Sequence, residues 1–402
     1  MKLPKNNLLI VYLVGAGKGI SGGTRIHVEC TKKWIKHKRF KSLTVWTSND
    51  GYRTCANYGV DKNYLKMMDT SWSQKIDFWF DYLCRVIKGI WLSFSFQLKK
   101  DERYIIYASS DFWADFFPAL IIHFRYQQTT KLVTPIYLFA PKLLTGYDEK
   151  FIISFKLIMY NLTQQVMMWF ARRYSDCIFV TYESDLKRLH VRGFEKQPQK
   201  VIVGGIEFEP TSKYFSLRKK QKKFLYDGIF VGRFHPQKGI IQLMNIWKIV
   251  VQHKPDAQLA MLGDGENNID QYIKNFLLTN NMDKNVFMLG FKDGAEKYEL
   301  FANTKVYLNT NLYDAGGMAT MEAMACGLPV VTFDFLASRS MIGDGALRAI
   351  YLDEQGFATN VLKLLDSPLQ SYQLGKKGRE YMKRYDWEVT ADRVAGYMES
   401  LF

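Results

Sequence analysis

Cysteine is scarce in this sequence, and so are the features that mark secreted or membrane-spanning proteins. The five cysteines among 402 residues lie at positions 30, 55, 84, 177 and 326, without a Cys-x-x-Cys pair or a histidine cluster. This scatter argues against a disulfide framework or a zinc site and favours a reducing, cytosolic setting. No signal peptide is expected, because the first apolar segment runs into glycines rather than a cleavage site. No uncharged apolar run reaches the roughly eighteen residues of a membrane-spanning helix.

In the first half of the chain, but not in the second, acidic residues are too few to balance the basic ones. Residues 1–200 contain 31 Lys and Arg against 16 Asp and Glu, whereas residues 201–402 contain 24 against 23. Nearly all of the formal net charge of +16 therefore lies in the first half. Such an imbalance favours an anionic partner, either a nucleic acid or an acidic membrane surface. A solubility bias without any partner is the alternative.

Two series of alternating strands and helices follow each other along the chain. Apolar segments typical of strands lie at 8–14, 42–47, 104–108, 131–136 and 177–181, and then at 225–231, 258–262, 286–289, 306–308 and 330–333. This alternation predicts α/β domains whose parallel sheets are covered by helices on both faces. A basic stretch at 216–223 lies near the predicted boundary between them. We predict an N-terminal domain over 1–207, a C-terminal domain over 208–385, and a last helix over 386–402 that crosses back to the first domain.

A glycine-rich turn follows the first strand. Gly17, Gly19 and Gly22 satisfy the spacing G-x-G-x-x-G, and Gly23 comes next, at the start of a helix. This spacing is the dinucleotide fingerprint, but the acid that should close the second strand is not cleanly placed at Asp50. The glycines indicate that the backbone approaches a ligand phosphate at a helix N-terminus. A tight turn without a ligand and a Rossmann oxidoreductase are the alternatives.

Two cations follow the first strand of the second series. Arg233 stands at the strand end, and Lys238 lies five residues later at a helix start. The spacing places two positive charges and free backbone N–H groups at one anion site. The alternative is a pair of solvated side chains on a loop.

Two acids and two glycines follow the strand that ends near residue 308. Asp314 precedes Gly316 and Gly317, which begin a helix, and Glu322 lies inside that helix. The glycines allow a diphosphate to approach the helix N-terminus closely. Asp314 can accept a hydrogen bond from a sugar hydroxyl, and Glu322 can accept hydrogen bonds from ribose hydroxyls. Burial of Glu322 without such donors would cost free energy, which favours the ligand-binding interpretation. An N-cap aspartate followed by a surface glutamate is the alternative.

These motifs resemble the retaining GT-B glycosyltransferases of family 4, also called group 1. The pieces that carry the resemblance are Val231-Gly-Arg…Lys238-Gly, Met261-Leu-Gly-Asp-Gly, Phe287-Met-Leu-Gly-Phe and Asp314-x7-Glu322-Ala-Met-Ala-x-Gly-x-Pro-Val-Val, in the family's order and spacing. In the first half the resemblance is looser, at Gly22-Gly23, at 175–181 and at 204–207. It implies an α/β fold of GT-B architecture, in which two Rossmann-like, doubly wound domains face each other across a cleft.

The resemblance also implies roles for the motif residues. Arg233 and Lys238 would hold the donor diphosphate and neutralise it as it leaves. Glu322 would hold the ribose, and Asp314 would contact the transferred sugar. The further donor-binding residues implied are Gly22, Gly23, Gly290, Phe291, Gly316, Gly317, Met318 and Ala319. No cofactor or metal is expected, because the nucleotide-sugar is a substrate, no Asp-x-Asp pair lies near the motifs, and the two cations supply the positive charge.

This sequence departs from the family pattern at two places. The first acid is Asp314, where the family usually has Glu, so the contact with the sugar is expected to shift or to use another hydroxyl. Residues 131–139 contain no His, although relatives often carry one near the end of the fourth N-terminal strand. His123, in the preceding helix, is interpreted as structural. We therefore assign no general base, because in a retaining transfer the leaving phosphate can take the acceptor proton.

Two segments of the first half combine apolar faces with flanking basic residues. Residues 78–98 place apolar side chains on one helical face at positions 79, 83, 86, 87, 90, 91 and 94, and residues 150–173 read similarly. Aromatic faces flanked by Lys and Arg suit a membrane interface. We assign this contact to Trp79, Trp91, Trp169, Arg172 and Arg173. Packing of these faces against the N-terminal sheet is the alternative.

Together these features predict a cytoplasmic glycosyltransferase associated peripherally with the inner face of the membrane. It would transfer a hexose or an N-acetylhexosamine from a nucleotide-sugar donor, with retention, to a lipid or lipid-linked glycan. A soluble GT-B enzyme and a nucleotide-sugar epimerase are alternatives, although no acid–base residues for an epimerase are found. A basic nucleic-acid-binding module is the non-enzymatic alternative, with no zinc finger or Arg/aromatic RNA motif in its favour, so no nucleic-acid partner is expected.

Overall fold

A computed structural model gives the structure of residues 6–15, 20–140, 155–265, 267–312 and 317–402. The described residues divide into two units. The first unit contains residues up to 204 together with Trp387–Phe402, and the second contains Gly205–Asp386. The chain thus divides after residues 204 and 386, where the sequence predicted divisions after 207 and 385.

The first unit is built on a parallel sheet, with seven strands among the described residues. Its strands are β1 (Asn7–Tyr12), β2 (Leu43–Ser48), β3 (Leu65–Met68), β4 (Tyr104–Ala108), β5 (Thr130–Ile136), β6 (Cys177–Val180) and β7 (Gln199–Val201). Its helices include α1 (Gly22–Lys36), α2 (Asn49–Asn57), α3 (Phe78–Ser93), α4 (Trp113–Arg125), α5 (Phe155–Tyr174) and α6 (Glu183–Val191). All six residues of β1 are buried, as expected for a central strand that is covered on both faces.

The second unit repeats this plan with six parallel strands in the described ranges. They are β8 (Tyr226–Val231), β9 (Leu259–Leu262), β10 (Val286–Met288), β11 (Thr304–Asn309), β12 (Val330–Phe333) and β13 (Ala346–Ala349). The helices are α7 (Phe208–Lys220), α8 (Ile240–His253), α9 (Asn267–Thr279), α10 (Gly294–Ala302), α11 (Met318–Ala325), α12 (Leu336–Ile342), α13 (Glu354–Asp366) and α14 (Pro368–Met382). Residues 216–220 of the basic stretch lie in α7, so they belong to a helix of this unit and not to a linker.

The strand orders place one candidate ligand site in each unit. The first sheet has the order β3-β2-β1-β4-β5-β6-β7, and the second has the order β10-β9-β8-β11-β12-β13. The direction of winding therefore reverses between β1 and β4, and again between β8 and β11. Doubly wound sheets bind ligands at the carboxyl ends of the strands beside such a reversal. The loops after β8 and β11 contain the charged motifs of the second half.

The last helix, α15 (Trp387–Glu399), packs on α1 of the first unit. The indole Nε1 of Trp34 donates a hydrogen bond of 2.8 Å to the carbonyl oxygen of Ala391. Beside it, the Glu388 carboxylate lies 3.0 Å from Lys36 Nζ and 2.7 Å from His37 Nε2. Partial burial raises the pKa of Glu388, but hydrogen bonds from Lys36, His37 and Lys33 outweigh it and lower this pKa to about 2.

The low pKa of Glu388 predicts a pH-dependent contribution to stability. Because the folded pKa lies below the unfolded value, the contribution is complete above about pH 4.5 and is lost as the pH falls towards 2. We expect Glu388→Gln to lower the free energy of unfolding by about 0.5–1 kcal/mol at pH 7, the range of partly exposed ion pairs, and by progressively less below pH 4.5.

Urea denaturation between pH 7 and pH 3 measures this difference. The matched control is Asp392→Asn, which removes a more exposed carboxylate of the same helix, paired with Arg39 at 3.2 Å. An equal loss for Glu388→Gln at every pH would contradict the assignment of the effect to the Glu388 charge.

Candidate active site

Four loops of the second unit converge at the carboxyl edge of its sheet. The N–H of Gly232, after β8, donates to Leu262 at the end of β9, and the N–H of Gly263 donates to Gly290 after β10, both at 2.9 Å. On the other side of the reversal point, the hydroxyl of Thr310, after β11, donates to the carbonyl oxygen of Lys238 at 2.9 Å. Hydrogen bonds between the loops therefore fix the backbone that surrounds the predicted donor motifs.

Two glycines allow these loops to approach so closely. Gly239 has φ of +66°, and a Cβ there would collide with the carbonyl oxygen of Thr310. Gly263 has φ of +132°, and a Cβ there would collide with the carbonyl oxygen of Gly232. L-residues rarely adopt such backbone angles, so both positions favour glycine for its conformation as well as for its size.

The structure places Arg233 and Lys238 on the same loop after β8. Arg233 is exposed, and Lys238 is half-buried at the end of the 3₁₀ turn Pro236–Lys238. The Cδ atom of Lys238 lies over Gly232, 3.9 Å from the position that a Cβ added to Gly232 would occupy. Neither cation forms an ion pair with a carboxylate that the structure describes. Both charges are available to an anion at the strand ends.

The structure buries Glu322 and surrounds it with partners from α10. Its side chain is only 3% exposed, and its Oε2 atom lies 2.8 Å from Nζ of Lys297. The hydroxyl of Tyr298 lies 3.4 Å from Oε1. Lys297 also contacts Asp293, at the N-terminus of α10, at 2.7 Å. Burial lowers the pKa of Lys297, but the Glu322 and Asp293 carboxylates outweigh it and hold this pKa above its usual range.

Lys297 was not among the residues that the sequence analysis singled out. It lies four residues before Phe301, which is fully buried, so it occupies the buried face of α10. A lysine at a core position of a helix signals a buried acid nearby, because an unpaired buried charge is costly. That signal was present in the sequence, but far along the chain from the predicted Glu322.

The helix that contains Glu322 begins at the same edge of the sheet. Gly317 is the N-cap residue of α11, Met318 and Ala319 form its first turn, and no described side chain caps it. Asp314 and Gly316 lie outside the described residues, so the predicted sugar contact and the first predicted glycine have no structural description. The roles assigned to Gly317, Met318 and Ala319 stay predictions.

The loop after β10 carries two of the predicted donor-binding residues, Gly290 and Phe291. Gly290 has φ of +69° and accepts the hydrogen bond from Gly263. Phe291, next to it, is 70% exposed, which is unusual for a phenylalanine. An exposed aromatic ring at the edge of the site suits stacking on a planar group, but its role also stays a prediction.

In the first unit, buried side chains hold the loop after β1. Asp115, in the first turn of α4, accepts hydrogen bonds from the N–H groups of residues 13 and 14 at 2.7 and 2.9 Å. Burial raises the pKa of Asp115 to about 6, although its hydrogen bonds act in the opposite direction. Arg85, buried in α3, donates to the carbonyl oxygen of Gly15 and pairs with Asp50 at 2.6 Å. The sequence analysis missed both anchors.

The glycine-rich turn is described only from residue 20 onward, so Gly17 and Gly19 lie outside the described residues. Ser21 caps α1 by accepting a hydrogen bond of 3.2 Å from the N–H of Thr24. Gly22 and Gly23 begin the helix, and a Cβ at Gly23 would lie 2.5 Å from the ring of Tyr137. Close packing against Tyr137 therefore accounts for a glycine at position 23, and phosphate binding there stays a prediction.

Residues 211–381 match the sequence profile of a known family, Glycosyl transferases group 1. Over these residues the chain is similar to the group 1 glycosyltransferases. The match covers most of the second unit and contains Arg233, Lys238 and Glu322. The family inferred from the motifs is thereby confirmed, and with it the general class of enzyme, a glycosyltransferase.

Named glycosyltransferases are among the similar proteins. The poly(glycerol-phosphate) alpha-glucosyltransferase of Bacillus subtilis is 30% identical over 122 residues, which are 30% of this chain and 18% of that protein. The phosphatidyl-myo-inositol mannosyltransferase of Mycobacterium tuberculosis is 28% identical over 181 residues, which are 43% of this chain and 47% of that protein. The matches span less than half the length of either relative.

Solved structures resemble the chain over almost its whole length. Anabaena HepE, in complex with UDP and glucose, has a TM-score of 0.71 at 16% identity and covers 97% of this chain and 99% of its own. TarM of S. aureus, in a complex that includes UDP and alpha-GlcNAc-glycerol, has a TM-score of 0.70 at 13% identity, with 98% and 99% covered. At such identities the likeness concerns the fold. It confirms the predicted fold class, two Rossmann-like parallel-sheet domains of the GT-B type.

His123 lies far from the carboxyl edge of the first sheet. It sits in the last turn of α4, where its Nδ1 atom is 2.8 Å from the hydroxyl of Thr130, the first residue of β5. Burial lowers the pKa of His123, against the raising effect of Asp176. The side chain packs at the amino end of the strands, which agrees with its interpretation as a structural residue.

The predicted membrane residues are exposed. Trp79 and Trp91 on α3 are 50% and 69% exposed, and Trp169 on α5 is 52% exposed. Arg172 and Arg173, at the end of α5, are exposed too. The predicted face of α3 was partly wrong, since Val86 and Ile90 turn inward to pack in the core of the first unit.

Two further properties concern the described part of the chain. Of the helices there, none combines the length and the hydropathy needed to cross a bilayer. No group of three or more His, Cys, Asp or Glu side chains within the described ranges is arranged to hold a metal ion.

The contact at Gly239 predicts that this position does not tolerate a side chain. We expect Gly239→Ala to displace the loop that carries Lys238, because the new Cβ would strike the backbone of Thr310. Both the midpoint temperature of thermal unfolding and the affinity for nucleoside diphosphates should fall. The matched control is Gly294→Ala, which also has a positive φ, of +56°, but has no atom within 4 Å of the added Cβ. The control should lose only about 1 kcal/mol, and equal losses in both variants would contradict the importance of the Thr310 contact.

Proposed function

We propose that the chain is a retaining glycosyltransferase that moves a hexose or an N-acetylhexosamine from a nucleotide-sugar to a lipid or lipid-linked glycan. The observation that carries the proposal is the pair of cations, Arg233 and Lys238, which lie beside the reversal point of the second sheet and have no carboxylate partner among the described residues. HepE and TarM, which share the fold, bind UDP according to their structures. A diphosphate is the part of a nucleotide-sugar that needs such cations.

The ribose and the base are assigned to neighbouring loops. Glu322 accepts hydrogen bonds from the ribose hydroxyls, and Phe291 flanks the base. Backbone N–H groups at the N-terminus of α11 add to the diphosphate site, because a helix N-terminus attracts anions. Asp314 contacts the transferred sugar, as the family motif implies.

The reaction needs positive charge at the leaving group rather than a strong base. The bond between the anomeric carbon and the diphosphate oxygen breaks, and the acceptor oxygen bonds to the same face of that carbon. The departing diphosphate takes the acceptor proton. Arg233 and Lys238 stabilise the charge that develops on the diphosphate, and we propose that transfer therefore requires no metal ion.

A lipid acceptor is proposed because the first unit exposes an apolar surface. Trp79, Leu83, Ile87 and Trp91 recur every four residues along α3, and each is at least half exposed. This spacing places them in one row on the helix surface. Exposed apolar patches of this kind mark interaction sites, and the basic first half of the chain suits an anionic bilayer. We propose peripheral attachment at the cytoplasmic face of the membrane.

The names of two relatives support the same kind of acceptor. The mycobacterial protein is named as a phosphatidyl-myo-inositol mannosyltransferase, and the Bacillus protein as a poly(glycerol-phosphate) alpha-glucosyltransferase. Both acceptors carry phosphate and free hydroxyls. A basic surface suits acceptors of either type.

The assigned leaving-group contact predicts the kinetics of cation variants. We expect Arg233→Ala and Lys238→Ala to lower kcat by roughly 10²-fold, because the charge they stabilise grows in the transition state. Affinity for the nucleotide-sugar should fall much less. Steady-state kinetics at saturating donor measure these effects. The control is Lys248→Ala, which removes an exposed lysine of α8. Retention of kcat within about threefold in both variants would remove the two cations from the mechanism.

The apolar row on α3 predicts selective binding to anionic bilayers. Trp91→Ser should reduce co-sedimentation with vesicles of phosphatidylglycerol and phosphatidylcholine by several-fold, because it removes the most exposed apolar side chain of the row. Leu369→Ser is the matched control, since Leu369 in the second unit is also 69% exposed. Equal sedimentation of wild type and Trp91→Ser would argue against this surface and favour a soluble enzyme.

A further inference from the structure

The ammonium group of Lys297 is shared between two carboxylates. Its Nζ atom lies 2.8 Å from Glu322 and 2.7 Å from Asp293. The side chains of Lys297 and Glu322 are 6% and 3% exposed, whereas that of Asp293 is 41% exposed. The three groups together carry one net negative charge, and only Asp293 reaches solvent. Lys297 is thus too buried to touch a bound nucleotide, and any effect on binding of the ribose passes through Glu322.

Packing alone does not explain a lysine at this position. Phe301, one helical turn further on, lies on the same side of α10 and is buried. An apolar side chain would continue this face without the cost of removing a charge from water. Buried ion pairs often contribute no more stability than apolar residues of similar volume. The charge of Lys297 therefore points to a requirement of its partner.

That partner is the carboxylate assigned to the ribose. A carboxylate that is held in one orientation presents its remaining lone pairs to a ligand in a defined direction. Lys297 Nζ lies 2.8 Å from Oε2 of Glu322, and the hydroxyl of Tyr298 lies 3.4 Å from Oε1. The aromatic ring of Tyr298 is itself packed against Tyr214 of α7, with ring centroids 5.3 Å apart. Glu322 is accordingly held on both oxygens by groups that are themselves fixed.

The same ammonium group reaches the loop assigned to the base. Asp293 ends the loop that begins at Gly290 and precedes α10. Its ion pair with Lys297 ties this loop to Glu322 on α11. One buried cation thus connects the ribose carboxylate with the segment that flanks the base.

We propose that Lys297 is a positioning residue of the donor site, which holds the Glu322 carboxylate oriented towards the ribose and ties the 290–293 loop to it. This inference rests on the proposed role of Glu322 in binding the donor. It makes recognition of the ribose hydroxyls depend on a residue that does not contact the nucleotide.

The test compares ribonucleotides with 2′-deoxyribonucleotides. The probe is whichever of ADP, GDP, UDP and CDP the wild-type chain binds most tightly, together with its 2′-deoxy form, and Kd is measured by calorimetry. The variants are Lys297→Met, Glu322→Gln and the double variant, whose site carries no buried Lys–Glu pair. Lys305→Met is the control, because it removes a lysine of the same unit that is paired with Asp227 at 2.7 Å on the strands.

We expect the wild type to prefer the ribonucleotide by roughly tenfold, the size of one hydrogen bond to a charged group. Lys297→Met and Glu322→Gln should each abolish most of this preference, whereas Lys305→Met should keep it. In the Glu322→Gln background, adding Lys297→Met should cause no further loss of the ribose preference, because Lys297 acts on the ribose only through Glu322.

Other outcomes separate the two hypotheses. If Glu322→Gln abolishes the preference and Lys297→Met keeps it, Lys297 is only structural and the proposed donor site stands. Additive losses in the double variant would likewise overturn the positioning role. If Glu322→Gln keeps the preference, Glu322 does not bind the ribose and the proposed donor site itself is wrong. Should Lys297→Met fail to fold, Lys297→Gln replaces it, and the same comparisons apply.

Discussion

The loops after β8 and β11 meet at the reversal point of the second sheet with no space for a side chain between them. Gly239 passes over the carbonyl oxygen of Thr310, and the hydroxyl of Thr310 binds the carbonyl oxygen of Lys238 in return. This contact determines where the Lys238 backbone lies relative to the loop that leads into α11. The cations, the helix N-terminus and Glu322 can serve one diphosphate and one ribose only if these two loops keep this spacing.

The interior of both sheets was predictable from the sequence, and the edges were not. Strands such as β1 and β9 are buried at every position, so they read as continuous apolar runs. The strands β3, β7 and β13 were missed because they are short and partly exposed, which leaves only a weak pattern. Val86 was misplaced for a related reason: α3 is apolar on two sides, and periodicity alone does not say which side is buried.

The candidate site was predicted as far as local motifs reach. Arg233, Lys238 and Glu322 are recognisable because each follows a strand at a fixed spacing. Lys297 and Asp115 are far in sequence from the groups they hold, Glu322 in one case and the N–H groups of residues 13 and 14 in the other. Such pairings depend on tertiary packing. Within the local sequence, such a pairing is indicated only by a lysine or an aspartate in an otherwise apolar helix face.

In the proposed mechanism, two cations and no metal ion stabilise the leaving group of a transfer that retains the anomeric configuration of the sugar. Proton NMR of the product tests it most directly, with an α-linked nucleotide-sugar, lipid acceptors that carry free hydroxyls, and EDTA present throughout. We expect an α-glycoside, formed at the same rate with and without EDTA. A β-glycoside, or turnover that stops in EDTA and returns with a divalent cation, would contradict it.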